Sequence, residues 1–259
     1  MDKAPDHTTD LDPGLLAEAL EPEDLLDDPL DSLAVDCPDP DAEIRAGLAY
    51  LSRGRDEVMQ GLRIFCEHRD HRAIPLLLPQ LHDLCPITRM SAVYALGRNP
   101  TAEAESTLLQ LLEDSNGFVR KAVAWSLGNY PGAAVLQALI RALTTDIAAV
   151  RLWAASSLVD VAVGDPADAV QASQVLREAL HIDNNAVVRS NCAWSLSRLH
   201  GACGDHPTEQ HKLVQALIQA MLEEPDRGVA EDARTALEQL DDPDSMARIE
   251  ALLDDGLLN

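Results

Sequence analysis

The chain is short of aromatic rings: three Trp, three Tyr and two Phe in 259 residues. Its core must therefore be filled by Ala, Leu and Val, which suits closely packed helices. No run of about 18 apolar residues occurs, so the sequence offers no membrane-spanning helix. The start, "MDKAPDHTTD", lacks a basic stretch followed by an apolar one and predicts no secretory signal. Cysteines are few, five in all and irregularly placed, with no Cys-x-x-Cys. That usage predicts reduced thiols in a cytoplasmic protein and excludes the strong zinc motifs. Phosphate loops, nucleophile elbows and zinc-protease motifs are missing as well, so no catalytic residue is predicted.

Positive charge is scarce at the two ends only. Residues 1–43 hold 15 acids and one base, a charge of −14. Residues 222–259 hold 12 acids and three bases, −9, while residues 44–221 are nearly neutral, with 17 acids and 16 bases. A neutral body with acidic ends is a poor nucleic-acid binder, because phosphate contacts need Lys and Arg. Acidic ends solvate the chain or dock on a basic partner. Residues 1–43 read as an acidic leader. Its "LDPGLLAEAL" and "PEDLLDDPLDSLAVD" alternate leucines with acids, as disorder or as short helices lying on another surface.

What the sequence does have is a repeat. Pairs resembling Val-Arg fall at Val58-Met59, Thr88-Arg89, Val119-Arg120, Val150-Arg151, Val188-Arg189 and Val229-Ala230. The second members are 30, 31, 31, 38 and 41 residues apart, the period of a helical array. In the third unit Val119, Ala122, Val123, Ser126 and Leu127 follow the i, i+3, i+4, i+7, i+8 spacing of one buried helix face. Segments such as "AESTLLQLLED" and "AVLQALIRALT" supply the helices between, and Gly97-Arg98-Asn99-Pro100 and Tyr130-Pro131-Gly132 the turns. The predicted fold is all-α: an α-solenoid of about six helix pairs over residues 44–259, closed by C-terminal capping helices. The longer spacings place extra loop in "VAVGDPADAV" and "HGACGDHPTEQH".

Asp83, Asp114, Asp146 and Asp183 precede Arg89, Arg120, Arg151 and Arg189 by five or six residues. An acid and an Arg at one point of every repeat predict a ladder of salt bridges between neighbours. This pattern resembles the HEAT repeat. In that class the second helix of each pair lines the concave side, and the resemblance carries that expectation here. At about 100° per residue, Trp125 lies roughly 130° from the centre of its buried face. Its repeat equivalents are Tyr94, Ser156 and Trp194. The candidate concave stripe is Tyr94, Phe118, Lys121, Trp125, Arg151, Trp153 and Trp194. Helical spacing leaves two readings open, a binding surface or rings packed against adjacent helices.

"VRKAVAWSLGN" and "VRLWAASSLVDV" look like the repeats of the phycobilisome-lyase-type HEAT proteins of cyanobacteria, which attach, isomerise or detach open-chain tetrapyrroles on phycobiliproteins. The resemblance implies a phycobilin ligand and a phycobiliprotein subunit as client. The order "RAIPLLLPQL", "CPITRMSAVYALGRNP", "GFVRKAVAWSLGN", "AAVRLWAASSL" also resembles cyanobacterial HEAT proteins that partner an IscA-type iron–sulfur carrier. That alternative implies an iron–sulfur cluster and an IscA-type carrier. Either way the chain is expected to be a scaffold rather than an enzyme by itself. The metal candidates are Cys37 and Cys85, each before a Pro near a helix start, and Cys203 with His206 in a Gly-rich loop. Cys192 and Cys66 fall at core positions, and His68, His71 and His82 at a solvent-facing turn.

Overall fold

The computed structural model describes residues 39–204 and 206–240. The chain divides into two units, Met1–Ala42 and Glu43–Asn259, and the second carries the array. The expectations for the leader, for Cys37 and for the capping segment beyond residue 240 lie outside the described residues. Twelve α-helices and no strand are present among those residues. They are α1 (Pro40–Leu51), α2 (Arg55–Glu67), α3 (Ile74–Leu77), α4 (Pro86–Arg98), α5 (Ala102–Leu111), α6 (Gly117–Leu127), α7 (Ala133–Thr145), α8 (Ala148–Ala162), α9 (Pro166–Ile182), α10 (Ala186–Leu199), α11 (Pro207–Glu223) and α12 (Arg227–Glu238).

The expected helix pairs are there: α1 with α2, residues 71–82 with α4, α5 with α6, α7 with α8, α9 with α10, and α11 with α12. The first helix of the second pair is broken. Pro75 and Pro79 each remove a backbone donor, and the segment runs as a 3-10 turn His71–Ala73, the single turn α3, and a second 3-10 stretch Leu78–His82. The second helices α2, α4, α6, α8, α10 and α12 pack continuously against one another, more closely than the first helices do. They therefore form the inner, concave layer and the first helices the outer one.

Composition explains the difference between layers. The second helices bury small residues such as Ala92, Ala95, Ala122, Ala124, Ala154, Ala155 and Ala193, which let backbones approach. Between the layers lie the larger side chains, among them Phe65, Leu81, Leu108, Leu127, Leu139, Leu158 and Leu176, all at 2% exposure or below. Polar clasps cross the inner layer. The Asn99 amide donates to the carbonyls of Phe65, His68 and Ala95, and the Tyr130 hydroxyl to that of Leu96, 3.0 Å away. Ser195 donates to the Ala155 carbonyl at 3.1 Å. Each clasp satisfies a buried polar group with the neighbouring repeat, so the stack gains register as well as burial.

The 38-residue spacing is not taken up by a loop. α8 runs to Ala162 and α9 begins at Pro166, so the extra residues lengthen the helices to 15 and 17 residues. Asp165 caps α9 by accepting from the backbone of Ala167 and Asp168, and this makes so short a connection workable. The later insertion is a true connection: a 3-10 turn Gly201–Cys203 followed by Gly204 at φ +55°.

Candidate protein-binding surface

The turn inside three of the pairs is built the same way. Asn116, Asn185 and Asp226 cap α6, α10 and α12 by accepting from the second and third N–H groups of their helices. Two residues earlier stands an acid. Asp83 accepts from the Cys85 N–H at 2.7 Å, Asp114 from Asn116 at 2.8 Å, and Asp183 from Asn185 at 2.8 Å. Asp146, in a tighter turn, accepts from Ile147 at 2.6 Å.

The arginines tie these turns together. Arg89 pairs with Asp114 at 2.8 Å, Arg120 with Asp146 at 2.7 Å, Arg151 with Asp183 at 2.7 Å, and Arg189 with Glu224 at 2.6 Å. Each Arg reaches the acid of the next repeat with two nitrogens. With its third it donates to the main-chain carbonyl of the acid in its own turn. The ladder thus runs between repeats, and Glu224 is its last acid. Burial pushes these carboxyls up, but the guanidinium bonds and the backbone N–H donors outweigh it and hold Asp114, Asp146, Asp183 and Glu224 below the ordinary carboxylate range. Ala230 stands at the next Arg place, so the ladder ends at α12.

This geometry divides the candidate stripe. Arg151 is spent on Asp183, Asn184 and the Asp146 carbonyl, and so has no nitrogen left for a ligand. It is a ladder residue and not a groove cation. Tyr94, Trp125, Trp153 and Trp194 are all half-buried on the inner helices, as is Lys121, which has no ion pair among the described residues. The Tyr94 and Trp125 rings meet at 5.3 Å between centroids, tilted by 55°. Trp125 also lies over Gly97 of the preceding repeat: a Cβ there would come within 2.5 Å of the indole. The packing reading therefore holds for part of this ring. It packs on its neighbour with one face and borders solvent with the remainder. Phe118 stands apart, 70% exposed, one heptad before Trp125 on the same helix face.

The cysteines do not converge. Among the described residues no group of three His, Cys, Asp or Glu side chains is placed to hold a metal ion. Cys203 is fully buried, its thiol pushed up by burial, and His206 faces the Cys203 carbonyl at 2.9 Å rather than the sulfur. Cys85 occupies the capping place that Asn116 and Asn185 fill elsewhere. Backbone N–H groups of Thr88 and Ile87 lower its pKa. Cys192 is buried, and burial raises its thiol strongly; Cys66 is pushed up to about 11 by the same cause.

A family model described as HEAT repeats matches residues 74–159. Those residues are similar to HEAT repeats. They span α3 to most of α8, which is the stretch where ladder, clasps and aromatic contact coincide. No curated protein matches the chain. Among solved structures, a designed armadillo repeat protein in complex with the peptide (KR)4 is similar at 19% identity and a TM-score of 0.58, over 77% of this chain and all of that one. A Kap95:Nup1 complex is similar at 15% identity and a TM-score of 0.62, over 94% of this chain and 35% of that one. An importin β structure gives 16% identity and a TM-score of 0.58, over 79% and 32%. At these identities the likeness is one of fold: an armadillo/HEAT solenoid, here about a third of the length of the importin-type chains.

The array also exposes a feature that periodicity did not single out. Of the eight large apolar side chains exposed among the described residues, seven lie at the turns within pairs, along the ladder edge. Leu84, Ile147, Ile182 and Leu222 stand on or beside the turns. Ile87, Phe118 and Val187 stand at the first turns of the inner helices. Only Val163 lies on the opposite edge. The available signal was an apolar residue beside Asp83, Asp146 and Asp183, or two places before Arg89, Arg120 and Arg189.

The Gly97 contact yields a test of the stack. Gly97→Ala places a methyl against the indole and 2.9 Å from the buried Ser126 hydroxyl. The α6 backbone must shift, at a cost of about 1–3 kcal/mol. A lower melting temperature with a red-shifted tryptophan emission is expected. Unchanged emission and melting would show that the two helices have slack there.

Proposed function

We propose that the chain is a protein-binding scaffold whose concave stripe receives a client, and that this client is a phycobiliprotein subunit with its open-chain tetrapyrrole. The reading rests on two supports. One is the resemblance of "VRKAVAWSLGN" and "VRLWAASSLVDV" to the phycobilisome-lyase-type repeats. The other, which carries it, is the half-buried rings Tyr94, Trp125 and Trp194 at one repeat position on the inner helices, with Trp153 three residues before the equivalent Ser156 and the unpaired Lys121 on the Trp125 helix. Flat rings give broad apolar contact at low entropy cost, and an ammonium matches a propionate. The groove fits a bilin to that extent. Residues of this chain would bind and orient the pigment, with no covalent step assigned to them. Similar solenoids include one whose solved complex holds a peptide, which favours a chain-like client over a metabolite.

The second reading is partnership with an IscA-type iron–sulfur carrier. Its support is Cys85, a half-buried thiol at a helix start whose pKa is lowered. The described cysteines do not fit a cluster held by this chain alone, so in this reading the contact is between proteins. Co-expression with bilin synthesis, compared with anaerobic iron–sulfur reconstitution, separates the two by absorption spectrum. For the first reading, Trp125→Ala should weaken binding of a phycobiliprotein subunit about tenfold in titration calorimetry. Full affinity in that variant would remove the groove from the account.

A further inference from the structure

We infer that the ladder edge is a second docking surface, bordering the groove at Ile87, Phe118 and Val187, and that its partner is a basic amphipathic helix of another protein. The seven exposed apolar side chains recur turn by turn along one edge, and scattered exposure would not align them so. Two of them reach the neighbouring turn. The Ile147 side chain lies over Gly117 of the turn before, and Ile182 shares a cleft with Thr145 and Asp146 of the turn before it.

Apart from Arg141, which is exposed and has no ion pair among the described residues, the charges between them are neutralised or negative. Every ladder Arg is consumed by its acid and its carbonyl. Beside the turns, three clefts of about 630, 360 and 380 Å³ open between successive outer helices, from α5 to α11. Glu113 lines the first, Glu178 the second and third, and Glu223 the third. All three are exposed and none has an ion pair among the described residues. Arg141 and His181 also line the clefts, in the first and third. A partner with apolar knobs along one face and Lys or Arg along its flank complements this surface.

Spacing selects a helix. Equivalent points of stacked repeats are about 10 Å apart, a helix-packing distance. Seven residues of an α-helix rise about 10.5 Å and return to nearly the same face. Three residues of an extended strand also rise about 10 Å, but every third side chain alternates sides, so a strand meets only every second turn. One apolar residue per heptad therefore matches one apolar turn per repeat.

The probe is a peptide of about 28 residues, roughly 42 Å as a helix, with Leu at every seventh place and Lys beside it. Two controls accompany it: the same composition with the Leu spacing scrambled, and Glu in place of Lys. Fluorescence anisotropy with the full chain should show the basic heptad peptide binding at least tenfold more tightly than either control. Leu84→Ser with Ile182→Ser, and separately Glu113→Lys with Glu178→Lys, should each weaken it at least tenfold with melting unchanged. Leu84 and Ile182 are 89% and 74% exposed, so their replacement spares the core. Trp125→Ala should leave this binding intact, which separates the edge from the groove reading. Equal binding of the controls, or binding untouched by the edge variants, overturns the proposal. So does loss of binding in Trp125→Ala alone. Self-association in sedimentation that the Ser variants abolish would assign the edge to a second copy and overturn it too.

Discussion

Arg120→Ala should lower the unfolding free energy by about 3 kcal/mol, the order of loss when one partner of a buried ion pair is removed. The Arg120 and Asp146 side chains are only 18% and 13% exposed. Truncation leaves the Asp146 carboxylate with its Ile147 N–H and no bonded guanidinium, only Arg151 nearby, and frees the Asp114 carbonyl from its donor. Burial and loss of the partner then act together against the charge. The effect is larger than for a surface pair because four acceptors, both Asp146 carboxylate oxygens and the Asp114 and Ser115 carbonyls, lose their donor at once, on both sides of a repeat boundary. In a stacked array stability is a sum of repeat and interface terms, so weakening one interface should also broaden the melt. Arg120→Lys keeps the charge and gives up the two-pronged bond, and should fall between the wild type and the Ala variant. Thermal and urea unfolding read the ordering. A melting temperature unchanged within error in Arg120→Ala would make this rung a surface charge and the ladder an ornament of the turns.

The ladder marks how far the sequence could be read. Repeat register, the all-α solenoid and the identity of the four arginines follow from spacing alone. The pairing partner does not. Each Arg has an acid five or six places before it and another some 25 to 35 places after it, and both were candidates by type. Three-dimensional stacking decides for the second, while the nearer acid supplies its carbonyl. Glu224 was legible in principle, since "EEPDRGV" repeats the acid, cap and Val order of "EDSNGFV", but the missing Arg at Ala230 drew attention away from it. The aromatic stripe was legible as positions and not as contacts. Helical spacing puts Trp125 on the inner side, yet its lean onto Gly97 depends on a side-chain angle and on a neighbour 28 residues away. Arg151 was placed in both groove and ladder by sequence, and its hydrogen bonds leave it only the ladder. The extra residues before α9 were read as loop from their Gly-Asp-Pro. The Asp165 cap shows that the same residues start a helix within three positions of the last one.

Acid should act on the ladder selectively. Asp114, Asp146, Asp183 and Glu224 have folded-state pKa values held below the ordinary range; burial opposes this, and the guanidinium and backbone bonds prevail. For a depressed carboxylate the unfolded chain binds the proton first. Its stabilising share is therefore complete above the unfolded value, about 3.9 for Asp, and is lost as pH falls through the folded value. Bulk acid unfolding alone would be ambiguous here. Protonating the many other acids of a chain with net charge −24 relieves self-repulsion and pulls the other way. The difference between two variants cancels that background. In Arg120→Ala, Asp146 has lost the bond that held it down, so this variant forfeits less on acidification than the wild type does. The stability gap between them should be constant from pH 8 to about 5, then narrow progressively below about 4. Urea titrations of both proteins at a series of pH values measure the gap directly. A gap that stays constant down to pH 3 would mean that Asp146 owes nothing of its charged state to Arg120, and that shape rather than ion pairing joins the repeats.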